Sequence, residues 1–74
     1  MFIENAYSRR DSLSDTDLER LLNALRDQVE RYRFAIRNYP PERLKVYGQP
    51  HLNKLEARVS VVEGLLAAGA KDRN

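Results

Sequence analysis

Apolar residues recur along the middle of the chain at Leu18, Leu22, Leu25, Val29, Tyr32, Ile36 and Tyr39. The intervals alternate between four and three, the period that lays one face of a helix along a heptad seam. Leu21 and Phe34 widen that stripe at its two ends. Local chemistry marks the start as clearly as the pattern does. Ser14 is placed to accept from the Asp17 amide, Asp17 holds the acid position of a variant capping box, and Leu13 and Leu18 occupy the staple positions. Asp15, Asp17 and Glu19 put negative charge on the first turn, where the helix dipole favours it. Asp27 precedes Arg31 by four residues, which supports the helix further. Pro40 disfavours the α region at Tyr39, so the pattern predicts a helix over about 15–38.

A second stripe follows at Leu52, Leu55, Val59, Val62 and Leu66, broadened by Val61 and Leu65. Pro50 suits a first helical position and Gly69 a stop, which predicts a helix over about 50–68 and a tail over 70–74. Gly64, inside that helix, costs about 1 kcal/mol relative to alanine. Between the two helices, Pro41 and Glu42 open a short helical turn over about 41–47, with Gly48 as a left-handed stop. Residues 1–12 read as an extended arm that docks Phe2, Ile3 and Tyr7 on the body. The expected fold is therefore all-α: an antiparallel helical hairpin over residues 13–69, preceded by that arm.

Size sharpens the expectation. A chain of 74 residues and 8.6 kDa buries only about 60% of its unfolded surface, and no cysteine is present to staple it. Stripes wider than a strict seam imply more apolar surface than one hairpin covers. The sequence thus predicts a bundle completed by self-association (a homodimer or higher) or by a protein partner. Leu21, Leu22, Leu25, Val29, Tyr32, Leu55, Val59, Val62 and Leu66 are the expected contact residues.

Composition narrows the chemistry. Without cysteine there is neither a disulfide framework nor a thiolate metal site. No run approaches the roughly 18 apolar residues of a membrane span, so no membrane association is expected. Met1 to Asn5 lack the basic head and apolar stretch of a signal peptide, and the expected location is the cytoplasm. The one histidine, His51, reads as a solvated first-turn residue, because a general base needs an orienting carboxylate and a nucleophile. Ser8, Ser12, Ser14 and Ser60 lack an elbow context, and three scattered glycines make no phosphate loop. The acids at 15–19 lack the glycine of a calcium loop, and capping accounts for them. The expectation is a non-enzymatic protein with no cofactor, metal or catalytic residue.

Charge is uneven along the chain although its total is only +2. Arg31, Arg33, Arg37, Arg43 and Lys45 face Glu42 alone between residues 31 and 47, with Tyr32, Phe34, Tyr39 and Tyr47 interleaved. Arginine forks beside aromatic faces suit anionic ligands, so these basic residues with Tyr39 and Tyr47 form a candidate anionic-ligand patch. A solvated face is the first reading, an acidic protein partner the second, and a nucleic acid or nucleotide the third. Asp11, Asp15, Asp17 and Glu19 make the opposite end acidic, which would set register between antiparallel copies.

The stretch from Leu18 to Leu25, then Pro41-Glu42, Val46-Tyr47 and Leu55-Glu56, resembles the small helical-hairpin chaperones of type III secretion needle subunits. The Pro40-Pro41 and Gly48-Gln49-Pro50 breaks depart from that pattern. The resemblance implies that such a layout can hold a partner helix. The sequence reading is therefore a small helical protein–protein interaction module: an adaptor, cochaperone, regulator or assembly component. The alternative is a nucleic-acid or nucleotide binder that uses residues 31–47.

Overall fold

Ser14 begins the longest predicted element as expected. In the computed structural model, which describes residues 2–72 and the side chains of residues 2–69, its hydroxyl accepts from the Asp17 amide at 3.2 Å. Helix α2 runs from there over Asp15–Ile36. It ends slightly earlier than the pattern predicts, with Arg37 as its C-cap and the Tyr39 amide donating back to the Ile36 carbonyl at 3.0 Å. Pro40 is extended, at φ −57° and ψ 151°, and turns the chain into a short helix α3, Pro41–Arg43.

The next stretch departs from the sequence reading. Gly48 does not stop a helix, and no residue among those described has a positive φ. Leu44–Gly48 instead form a π-helical turn that leads without a break into α4, Gln49–Asp72. The Gln49 amide donates to the Leu44 carbonyl five residues back. Pro50 explains the change, because it lacks the N–H that an unbroken α ladder needs there and its ring crowds the preceding turn. A wider turn absorbs the proline where a break was expected. Gly48 has a different role: it is buried, and a Cβ on it would lie 2.9 Å from Leu44 Cδ1 and 3.4 Å from Ile36 Cδ1. The glycine lets the start of α4 close on the end of α2. Gly69 is likewise helical, so the tail predicted from Ala70 is helical as far as Asp72; residues 73–74 lie outside the described residues.

The N-terminal arm is also helical rather than extended. Helix α1 spans Phe2–Ser8, followed by a 3-10 turn over Arg10–Ser12 and an extended Leu13. Ile3, Ala6 and Tyr7 share one face at spacings of three and one, and that face is the one that packs. The expected docking of Ile3 and Tyr7 therefore occurs, through a helix. Phe2 points away and is exposed.

The two long helices run antiparallel and bury two consecutive apolar clusters. Toward the end where the chain enters α2, Ala6, Leu18, Leu21, Leu22, Leu25 and Val62 form one. Toward the turn, Val29, Ile36, Leu52 and Leu55 form the other, with Tyr32, Tyr39 and Leu44 against it. Val59 touches both. The radius of gyration of 14.3 Å exceeds the roughly 11 Å of a compact domain of this length, so the molecule is a rod of 48 × 23 × 17 Å.

Candidate interaction surface

The nine residues expected to meet a second chain meet each other. Leu21, Leu25 and Val62 are fully enclosed, and Leu22, Val29 and Leu55 are buried, all within one polypeptide. Tyr32, Val59 and Leu66 are half-buried against these clusters. Part of the widened stripe is covered from within the chain, where Ala6 of α1 shares a buried cluster with Leu18, Leu21 and Val62. Of the other stripe-widening residues, Leu65 packs beside the same cluster, whereas Phe34 and Val61 stay exposed.

Two sets of ion pairs hold this arrangement. On one face of the hairpin, Arg26 reaches Glu63 at 2.8 Å and Arg33 reaches Glu56 at 2.9 Å, linking α2 to α4. All four side chains are close to half-exposed, so these pairs set the register of the helices more than they stabilise them. Val29 and Val59 floor the open groove between them. At α1, the Arg58 guanidinium donates to both carboxylate oxygens of Glu4, at 2.8 and 3.5 Å. Tyr7 lies between two cations, with Arg10 at 4.4 Å and Arg58 at 4.8 Å from its ring centre. The hydrogen bond from Arg58, and then its charge, hold the Glu4 carboxyl below the usual range, while desolvation opposes them weakly. Sequence reading missed this latch, because its partners stand 54 positions apart. The only local hint was the helical spacing of Ile3, Ala6 and Tyr7.

The candidate anionic patch is divided by the fold. Arg31 pairs with Asp27 at 2.8 Å, and Arg33 is shared between Glu30 and Glu56, so both have carboxylate partners. Tyr39 is half-buried in the turn-side cluster. Arg37, Arg43, Lys45 and Tyr47 remain at the surface of the turn end. The Arg37 guanidinium stacks 4.0 Å over Phe34, and that of Arg43 stacks 4.9 Å over Tyr39. Neither stacked arginine has a carboxylate partner among the described residues, and Lys45 has none either. Pro40, Glu42, Arg43, Val46 and Tyr47 line a shallow recess there. Phe34, Val46 and Tyr47 are 65%, 57% and 67% exposed at this end, and Phe2 is 59% exposed at the other.

His51 is exposed as expected, but its ring meets Tyr32 edge-on at 4.7 Å, a contact across the hairpin that periodicity could not show. Among the described residues no three histidine, cysteine or acidic side chains gather as a metal site, and no helix is long and apolar enough to cross a membrane. Comparison of the chain with protein-family models, curated proteins and solved structures found no match.

Proposed function

We propose that this chain is a small, non-enzymatic helical protein–protein interaction module whose working surface is the turn end of the hairpin. The observation that carries the reading is the distribution of exposed apolar side chains. The leucine and valine seam is consumed internally, and of the five large apolar side chains left exposed among the described residues, Phe34, Val46 and Tyr47 belong to the turn end, against Phe2 at the other end and Val61 on α4. Large exposed apolar groups ringed by polar ones mark contact sites on small proteins. Tyrosine and arginine, both present here, are the residues that most often dominate such contacts. The rod shape serves the same purpose: the accessible surface of 5530 Å² exceeds the about 4,700 Å² expected of a compact monomer of this mass.

Another protein is favoured over a second copy, because the leucines and valines of the seam are buried or half-buried within one chain. The module therefore acts on another protein. Site-specific photo-cross-linking tests this in cells that make the protein. A cross-linker at position 47 should give one dominant protein adduct, and one at position 64, on exposed helix surface, should not. Equal labelling at the two positions, or none at either, contradicts the reading.

A further inference from the structure

We infer that the turn end docks an acidic protein segment studded with apolar side chains, an inference that rests on the reading of the chain as an interaction module. The first support is a contrast among its arginines. Arg26, Arg31, Arg33 and Arg58 each hold a carboxylate at 2.8 or 2.9 Å. Arg37 and Arg43 do not, and their guanidinium carbons lie 4.0 and 4.9 Å over the rings of Phe34 and Tyr39. At the other end Arg9, Arg10 and Arg20 also have no carboxylate partner among the described residues, but Arg9 and Arg10 donate to the carbonyls of Asn5 and Tyr7. A guanidinium stacked on a ring is already ordered and keeps its N–H edge directed outward, ready for bidentate pairing with a carboxylate. Lys45 adds a third cation, and Glu42 is the one acid between residues 37 and 47.

The second support is that apolar and cationic groups alternate in one place. Pro40, Val46 and Tyr47 line the recess together with Arg43. An acidic segment that places a carboxylate on Arg43 can lay a neighbouring aliphatic or aromatic side chain against Val46 and Tyr47. Glu42, on the rim, repels a misregistered acid and so favours that alignment.

A nucleic acid fits the same surface less well. Single-strand binding needs a track of cations along successive phosphates and open ring faces for stacking. Asp27, Glu30 and Glu56 stand beside Arg31 and Arg33 and interrupt such a track with negative charge. Tyr39 is half-buried with Arg43 over its ring, and His51 packs on Tyr32, which leaves only Phe34 and Tyr47 as largely exposed rings in the segment.

Selection from a random peptide library displayed on phage, against the full chain, tests the inference. Enriched peptides should carry net negative charge with interspersed apolar residues. One of them, resynthesised, should bind the wild type at least about tenfold more tightly than Arg37→Glu/Arg43→Glu or Tyr47→Ala, and more weakly as salt rises. Circular dichroism of these surface variants should match the wild type, and oligothymidine should not compete. Neutral or basic winners, winners retained by the charge-reversed variant, or displacement by oligothymidine each overturn the inference. Should position 47 cross-link a protein while the selected peptides show no acidic bias, this inference falls and the interaction reading stands. The absence of an adduct at position 47 removes both.

Discussion

The two ends of the hairpin receive similar apolar material and treat it differently. At the open end, Leu21 lies beyond the strict seam, and α1 folds back until it is fully enclosed. Charge there is matched to the docking, since Arg58 both binds Glu4 and stacks on Tyr7. At the turn end, Phe34 also lies beyond the seam, but no third helix reaches it. Its arginine neighbour covers one face of the ring and finds no acid. The chain therefore holds a docked apolar and charged segment at one end and exposed apolar and cationic side chains at the other. An acid on a short helix, pairing an arginine beside an aromatic ring, is how α1 is held. At the turn end the ring and the arginine both belong to the hairpin, Arg37 over Phe34 and Arg43 over Tyr39, with no acid paired to either among the described residues.

The comparison breaks most readily at the enclosed end. Leu21→Ala should cost about 2–5 kcal/mol by leaving a cavity beneath α1, whereas Phe34→Ala, at an exposed site, should change stability by less than about 0.5 kcal/mol. Urea unfolding of the two variants measures the difference, and equal losses would mean that the ends are not packed differently. Ser14→Ala should cost about 1 kcal/mol in the same assay, because the Asp17 amide loses its acceptor.

The glycines sharpen the picture. A Cβ at position 64 meets nothing within 4 Å, so Gly64→Ala should stabilise by up to about 1 kcal/mol through helix propensity. Gly48→Ala should gain less or destabilise, since its Cβ must displace Leu44 from 2.9 Å. A larger gain at 48 than at 64 would show that the close approach is not tight.

The smallest effect concerns the latch. Because Glu4 titrates below its usual range in the folded chain, its contribution is complete above about pH 4.3 and is lost as pH falls through the depressed folded value. Glu4→Gln should lower the thermal midpoint slightly at neutral pH and leave it unchanged in strong acid, as read by circular dichroism. A difference that persists in acid would assign the effect to packing rather than charge.

Much of the hairpin is written locally. The Ser14 cap, the alternating leucines of α2 and the Pro40 turn each depend on neighbours within a few positions, and each stands where the pattern puts it. What escaped depends on distant partners. Helix α1 has 7 residues, too few to hold a helix by propensity alone, and it is fixed by Arg58 and the open-end cluster. Gly48 and Gly69 signal stops in isolation but are helical here, because close approach and a π turn decide the backbone. The basic segment reads as one patch in sequence, and only the cross-hairpin pairing of Arg33 with Glu56 shows that part of it is spent. The seam residues were legible as apolar, while the cover over Leu21 came from a segment whose helix the sequence reading did not find.

Sedimentation equilibrium of the full chain across micromolar concentrations tests the central claim most directly. A hairpin whose seam is sealed by α1 should sediment as an 8.6 kDa monomer throughout. A mass that rises to a dimer or beyond in that range would show that the seam is shared between chains, and would contradict the account.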